Sequence, residues 1–412
     1  MKRSAALPFI FVTVVLDVLA FGVIIPVLPK LIENFLGGDT ARAATYVGIF
    51  GTVWALMQFV FSPVLGVVSD RYGRRPVILL SNFGLGFDYL LMAVAPTLWW
   101  LFVGRVISGI TGAAFTTAGA YIADVTPKEK RAAGYGVIGA AWGLGFILGP
   151  AMGGVLGNIN PRLPFWVAAG LTLANACYGI FVLPESHAPE RRSAFFDWRR
   201  ANPLGALKLL MRHRELFGLA GVLLLYYMAH QAYPSVFVLY ADYRYGWNTR
   251  DVGLTLAGLG ICTSIVQGGL IRPFVARFGE RTSVLLGLTA GAVAMTIFGM
   301  AATGLGFCAG IPVSSMMGLF GPAAQGLMTH HVSADEQGQL QGATNSIMGI
   351  TGMIGPALFT SVFASAIGPS HAQRMPGAPF LLAGAFLATA LIGAAWATKR
   401  DGATELAAAV ES

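Results

Sequence analysis

Charge is what this chain has least of. Of its 412 residues only 11% are Asp, Glu, Lys or Arg, less than half the roughly 25% that a soluble domain carries. A chain so poor in charge cannot coat itself against water, and 55% of it is hydrophobic. Cysteine is scarce too. Cys177, Cys262 and Cys308 all sit in apolar runs without CxxC spacing, which argues against a disulfide framework and against cysteine-bound zinc. No GxxxxGK[ST] loop and no metal-spaced His/Cys cluster occurs, so ATP-driven pumping has no machinery here. A membrane-embedded enzyme or sensor would need a catalytic constellation or an added soluble domain, and neither is visible. No cofactor and no resident metal are expected.

What is present is apolar length. Runs of about 20 residues recur from end to end, each able to cross a hydrocarbon core of roughly 30 Å. Twelve spans are predicted, at 8–28, 45–67, 77–95, 99–122, 134–157, 165–183, 217–239, 250–271, 283–302, 304–328, 339–363 and 379–397. The first follows Lys2 and Arg3 as a signal peptide would, but Asp17 lies in its middle and no cleavage site follows. It is read as a retained helix. The net charge of +8 would suit a nucleic-acid binder, but its distribution does not. With the N-terminus inside, 20 of the 27 Lys and Arg fall in cytoplasmic segments, six fall outside, and Arg105 lies within a span. That asymmetry is a topology signal; it sets both termini in the cytoplasm, and no nucleic-acid partner is expected. The longest polar stretch, 184–216, holds Pro184, Pro189, Pro203 and seven basic residues and divides six spans from six. The expected organisation is an N-terminal six-helix bundle at 1–183, a cytoplasmic linker at 184–216, a C-terminal bundle at 217–400 and a tail at 401–412.

The two halves are copies. Arg71-Tyr-Gly-Arg-Arg-Pro76 recurs as Arg277-Phe-Gly-Glu-Arg-Thr282, at an offset of 206, and the same offset carries Gly136 onto Gly342 and Gly149-Pro150 onto Gly355-Pro356. Internal duplication of apolar helices is how secondary transporters are built.

Ionisable residues inside spans need a reason, since even the mild insertion scale charges roughly 2.5–3.5 kcal/mol for Asp or Arg at a helix centre. Asp17 in span 1, Asp88 in span 3 and Arg105 in span 4 stand out. Asp88 and Arg105 are placed symmetrically about the outside turn at Pro96-Thr97, so they lie at one depth in a hairpin. They form a pair, or Asp88 faces a water pocket at the rim. Asp17 has no opposite charge on its own helix, and Gly22, Pro26 and Pro29 follow it. A carboxyl in low dielectric binds and releases a proton near neutrality, which proton coupling requires. In the second half the equivalent positions are Leu223, Ala294 and Ile311. That half keeps uncharged polarity instead: His230, Gln231, Gln267, Gln325 and Asn345. With Gln58 of span 2, His230, Gln231, Gln325 and Asn345 are the candidate substrate-binding residues; helix–helix bonding is the other use of such side chains.

Gly145, Gly149, Gly153 and Gly157 recur every fourth residue in span 5 beside Pro150. Small residues at that spacing admit a close neighbour and proline permits a bend, which suits either a rocking helix or static packing. At the inside end of spans 2 and 3, Gly73 permits a tight turn and Asp70 is placed to accept backbone donors at a helix start. Arg74 and Arg75 lie near Asp124 at the inside end of span 4. A salt bridge there would hold one conformation closed to the cytoplasm; the alternative is a topology signal alone.

At these residues the chain resembles the twelve-span drug:proton antiporters of the major facilitator superfamily. The resemblance is carried by Gly66 to Pro76, by Arg105, Gly109 and Gly112-Ala-Ala114, by Gly136, Gly145, Gly149-Pro150 and Gly153-Gly154, and by Gly22-Val-Ile-Ile-Pro26-Val-Leu-Pro29. It is similar in particular to the tetracycline efflux proteins through Gly119-Ala-Tyr-Ile-Ala-Asp124-Val-Thr, Leu183-Pro-Glu-Ser-His187, Glu190-Arg-Arg192, Gln337-Gly-Gln-Leu-Gln-Gly342, Asp17 and Asp88-Tyr89. It departs from them where they carry an acidic residue early in span 9 and a histidine in span 8, here Gly291 and Thr263. The resemblance implies an all-α membrane protein of two pseudo-symmetric six-helix bundles about a central cavity. It also implies alternating access, and a monomer in the bacterial inner membrane that exports a small-molecule drug as protons enter. Asp17, Asp88 and Arg105 would couple to the proton. Asp70, Arg74 and Asp124 would form the inside latch, with Gly145, Gly149 and Pro150 as the moving contact. Magnesium would enter only as part of a chelated drug. A transporter of the same fold for another amphipathic molecule, or for several drugs, is the alternative.

Overall fold

A computed structural model describes residues 6–112, 114–126, 131–192, 205, 207–212, 214–333, 335–368 and 374–398. Helix is the regular structure of the described residues, one of the two forms, with the closed barrel, in which a backbone in lipid satisfies its polar groups internally. In the first half, α1 (Ala6–Ile24) leads through a short turn into α2 (Leu28–Phe35). Then come α3 (Thr40–Tyr72), α4 (Arg74–Val94), α5 (Leu98–Thr111), α6 (Ala114–Val125), α7 (Arg131–Ile159) and α8 (Leu163–Val182). In the second half lie α9 (Leu207–Arg212), α10 (Arg214–His230), α11 (Ala232–Tyr245), α12 (Thr249–Ile265), α13 (Ile271–Met300), α14 (Gly304–Ser315), α15 (Phe320–Thr329), α16 (Gln337–Ile367) and α17 (Ala378–Ala397).

Ten described helical stretches are long and apolar enough to cross a membrane, and one of them, Thr249–Met300, is 52 residues long. That is more than twice what a bilayer needs, and Gly279 divides it with φ 78° and ψ 167°. The pair α5 and α6 supplies a further span across Gly112. Twelve spans result, in the places the sequence predicts. Their outer faces are apolar: Phe181 is 86% exposed, Leu305 83% and Trp396 79%. Such surface in water would be an association site; in lipid it is the solvated face.

The duplication is visible in backbone angles. Gly73 has φ 107° and ψ 158°, and its repeat partner Gly279 has φ 78° and ψ 167°. Both lie in the positive-φ region where a Cβ is strained, so the same turn is built twice. Pro150 and Pro356 likewise both lie inside unbroken helices, α7 and α16.

The chain forms two compact units, residues 1–203 with 246–260, and residues 204–245 with 261–412. In the first, α7 presents its glycines to α1. A Cβ on Gly149 would lie 2.7 Å from Gly22 Cα, and one on Gly22 would lie 3.0 Å from Gly149 Cα and 3.1 Å from Pro150 Cδ. Cβ atoms on Gly145, Gly153 and Gly157 would overlap Val18, Val23 and Val27 in turn. An adjoining side of α7 receives the start of α12, where a Cβ on Gly253 would lie 2.8 Å from Gly154 Cα. The second unit has an aromatic core instead. Tyr233, Phe237, Phe298, Phe307 and Phe380 stack or meet edge-on. Tyr240 donates its hydroxyl to the Phe298 carbonyl at 2.7 Å.

Candidate functional site

The first unit buries three ionisable side chains in its spans. Asp17 on α1 is 5% exposed, Asp88 on α4 is fully enclosed, and Arg105 on α5 is 7% exposed. Arg105 Nη2 lies 3.4 Å from Asp88 Oδ2 and 3.8 Å from Met92 Sδ. The hairpin of α4 and α5 therefore forms the pair that the symmetric placement predicts. Gly104 makes room for it, since a Cβ there would fall on Asp88 Oδ1.

Asp17 has a different partner. Asn175 on α8 donates Nδ2 to Asp17 Oδ1 at 2.8 Å and to the Thr13 carbonyl at 2.9 Å. Asn175 is fully buried and was not among the residues singled out from the sequence. An asparagine inside a span carries the same signal as the polar residues of the second half. Asp17 is thus bonded by a neutral amide. Tyr89, beside Asp88, is 2% exposed and lies in the electrostatic field of Asp17, Asp88 and Arg105 together.

The end of this unit where α3 meets α4 is a dense polar network. Arg74 Nη1 is 2.6 Å from Asp70 Oδ1, and Arg74 Nε is 3.2 Å from Asp124 Oδ2. The three residues expected to form a latch are in contact. The expectation that Asp70 accepts from a helix start is corrected. Asp70 lies in the last turn of α3, and Glu185 fills that place. Glu185 Oε1 accepts from Arg74 N at 2.9 Å and Oε2 from Arg75 N at 3.3 Å. An acidic side chain at exposed helix-start N–H groups is stabilised by both the bonds and the helix dipole. The chain after α8 folds onto this site. Ser186 Oγ donates to Asp124 Oδ2 at 3.3 Å, His187 Nδ1 is 3.7 Å from the same oxygen, and Tyr121 Oη donates to the Pro184 carbonyl at 2.9 Å.

The polar residues assigned to substrate are less gathered. Gln58 is half-buried, and its Nε2 lies 3.0 Å from where a Gly112 Cβ would be. In the second unit His230 is exposed at the break between α10 and α11, its ring 6.3 Å from that of Tyr226. Gln231 lies against Gly355, whose Cβ would fall on its side chain. Gln325 is half-buried; Asn345 is exposed and accepts from Gln341 Nε2 at 3.4 Å. Among the described residues no hydrogen bond or ring contact joins Gln325 or Asn345 to His230.

A fold of twelve spans in duplicated halves, buried span carboxylates and a basic turn clasped by acidic groups together define a membrane transporter. The chain belongs to the Major Facilitator Superfamily, whose profile matches residues 10–356, and it has that superfamily's two six-helix bundles. Within it, the chain belongs with the tetracycline resistance proteins. It is 37% identical to Tetracycline resistance protein, class C, of Escherichia coli over 366 residues, covering 89% of this chain and 91% of the relative. It is 36% identical to the class B protein of Escherichia coli over 356 residues, covering 85% and 87%. Among solved structures, the human organic anion transporter MFSD10 (TETRAN) is similar with a TM-score of 0.70 at 22% identity, covering 96% of this chain and 100% of that one. Nucleoside transporter NupG is similar with a TM-score of 0.76 at 14% identity, covering 96% and 99%. The protein is therefore a multi-pass membrane transporter of a small molecule and not an enzyme.

Proposed function

We propose that this protein exports tetracycline or a tetracycline-like compound across the bacterial inner membrane in exchange for protons. The observation that carries the substrate is the match over 89% of the chain to a tetracycline resistance protein. The coupling is supported by Asp17, a buried carboxylate bonded to Asn175, with Asp88 and Arg105 as a second charged group that protonation of either carboxylate would bias. Asp70, Arg74 and Asp124 act as the inside latch, and the contact of Gly145, Gly149 and Pro150 with α1 is the surface on which helices rock. His230, Gln231, Gln325, Asn345 and Gln58 contribute to drug recognition. The domain division at 184–216, cytoplasmic termini and a monomeric state belong to the same reading. Tetracycline accumulation in a pump-deficient host at matched expression tests it, and a fall in accumulation is expected.

A second reading is favoured by one observation. Gly291 stands where the resemblance implies an acidic residue, and it is packed: a Cβ there would lie 3.0 Å from Leu387 Cδ1 and 3.1 Å from Met317 Sδ. An acidic side chain has little room at this position, which fits export of a different amphipathic molecule. Unchanged tetracycline accumulation alongside export of another compound selects that reading.

A further inference from the structure

The interior of the first unit holds more unpaired polarity than a carboxylate and an ion pair account for. Both side-chain amide atoms of Asn82, Thr172 Oγ1, Asn175 Oδ1, Asp88 Oδ1 and Arg105 Nε are buried and make no hydrogen bond among the described residues. Asn82 and Thr172 are each 1% exposed. Buried polar groups in native proteins find a protein partner or an ordered water. Thr172 is the clearest instance. Thr111, Thr296 and Thr360 turn their hydroxyls to the carbonyl one turn back at 2.8, 2.8 and 2.7 Å, whereas Thr172 makes no such bond.

These groups form a track. A Cβ on Gly86 would meet Leu173, and one on Gly179 would meet Leu79, so α4 and α8 run antiparallel in a definite register. That register sets Asn82 level with Ala176, beside Asn175, and Tyr89 level with Ala169, one turn from Thr172. Asn82 and Tyr89 are seven residues apart on one face of α4, about 10 Å along its axis. Thr172 and Asn175, three apart, share a face of α8. Asn175 holds Asp17 at one end of the track. Tyr89, in the joint field of Asp17, Asp88 and Arg105, stands at the other.

We infer that Asn82, Thr172, Asn175 and Tyr89 line a narrow hydrated chamber inside the first unit, which joins Asp17 to the Asp88–Arg105 pair and takes water as its ligand. A buried water makes about three hydrogen bonds to groups that would otherwise go unpaired, and the donors and acceptors left over here are of both kinds. A file of waters also carries a proton between carboxylates that do not bond directly. One carboxyl gives its proton to the adjoining water, each water hands one on, and the other carboxylate takes the last, so no water is consumed. The hydration stands on the unpaired groups alone; its use as a proton path rests on the proton-coupled reading above.

Hydroxyl-radical footprinting of the full purified chain tests the chamber, because radicals formed in bound water modify the side chains beside it. Tyr89 is expected to react several-fold faster than Tyr240, which is equally enclosed but holds its hydroxyl on a carbonyl. Thr172→Val and Asn82→Leu remove atoms that have no protein partner, so both are expected to keep or raise thermal stability while slowing Tyr89 modification. A Tyr89 rate no greater than that of Tyr240, or unchanged in both variants, overturns the chamber. In vesicles the same variants are expected to lose pH-gradient-driven uptake while retaining substrate counterflow. If labelling falls but gradient-driven uptake stays at the wild-type rate, the proton path is overturned. If wild type reacts at Tyr89 yet shows no gradient-driven uptake, the chamber stands and the proton-coupled reading falls.

Discussion

Replacing Glu185 by alanine strips the start of α4 of its acceptor. Two backbone N–H groups of that helix lose a carboxylate, one bonded at 2.9 Å and the other at 3.3 Å. Bonds to charged groups contribute roughly 1.5–3 kcal/mol each, but the Glu185 side chain is 24% exposed and the second bond is long. The low end for the first and a fraction for the second give a loss of about 2 kcal/mol. At roughly 1.4 kcal/mol per tenfold, that is about a thirtyfold shift toward a loosened segment. Ser186 is the reporter, because its hydroxyl bonds Asp124 in the same network. In a background with Cys177, Cys262 and Cys308 replaced by serine, Ser186→Cys should react with a soluble maleimide about thirtyfold faster once Glu185 is alanine. Glu185→Gln, which keeps an acceptor oxygen, should fall between. An unchanged labelling rate in the alanine variant would refute the assignment of Glu185 as the residue that seats this end of α4.

Three further outcomes are expected. Gly149→Ala puts a Cβ 2.7 Å from Gly22 Cα and 3.0 Å from the Leu19 carbonyl, so it should destabilise by about 1–3 kcal/mol. Gly139→Ala, whose Cβ meets open space, should be neutral or stabilising by up to ~1 kcal/mol, and equal melting shifts in detergent would count against the α1–α7 contact. Gly291→Asp should lower folded yield and fail to improve tetracycline export, because Leu387 and Met317 occupy the space the new side chain needs; improved export at unchanged stability would contradict this. Asp17→Asn keeps an oxygen for Asn175 to bond and so should stay folded, but it should abolish proton-driven transport, as vesicle uptake with an imposed pH gradient would reveal.

The spans were legible because lipid imposes a length and a polarity that few other environments do, and the Asp88–Arg105 pair was legible because hairpin symmetry fixes depth. Gly73 and Gly279 were legible as one turn because a repeated glycine in a repeated motif points to one backbone conformation. Helix ends were not. The apolar run of span 2 ends at 67, whereas α3 continues to Tyr72, since a helix leaving the hydrocarbon needs no apolar residues to continue. Asn175 was missed, and Glu185 was read only as part of a motif and not for its contact, for a shared reason. Each acts through a partner more than 100 residues away in sequence, Asp17 and Arg74, and no local pattern encodes such a meeting. The packing around Gly291 is of the same kind, set by Leu387 and Met317 from other helices.

A proton gradient is proposed to drive tetracycline out of the cell through this chain. Inverted membrane vesicles made acidic inside test it most directly, with tetracycline uptake and internal pH followed together. Uptake should appear with the gradient, alkalinise the interior, and be absent in Asp17→Asn. Tetracycline uptake indifferent to the gradient, or none at all while another compound moves and the gradient collapses, would contradict it.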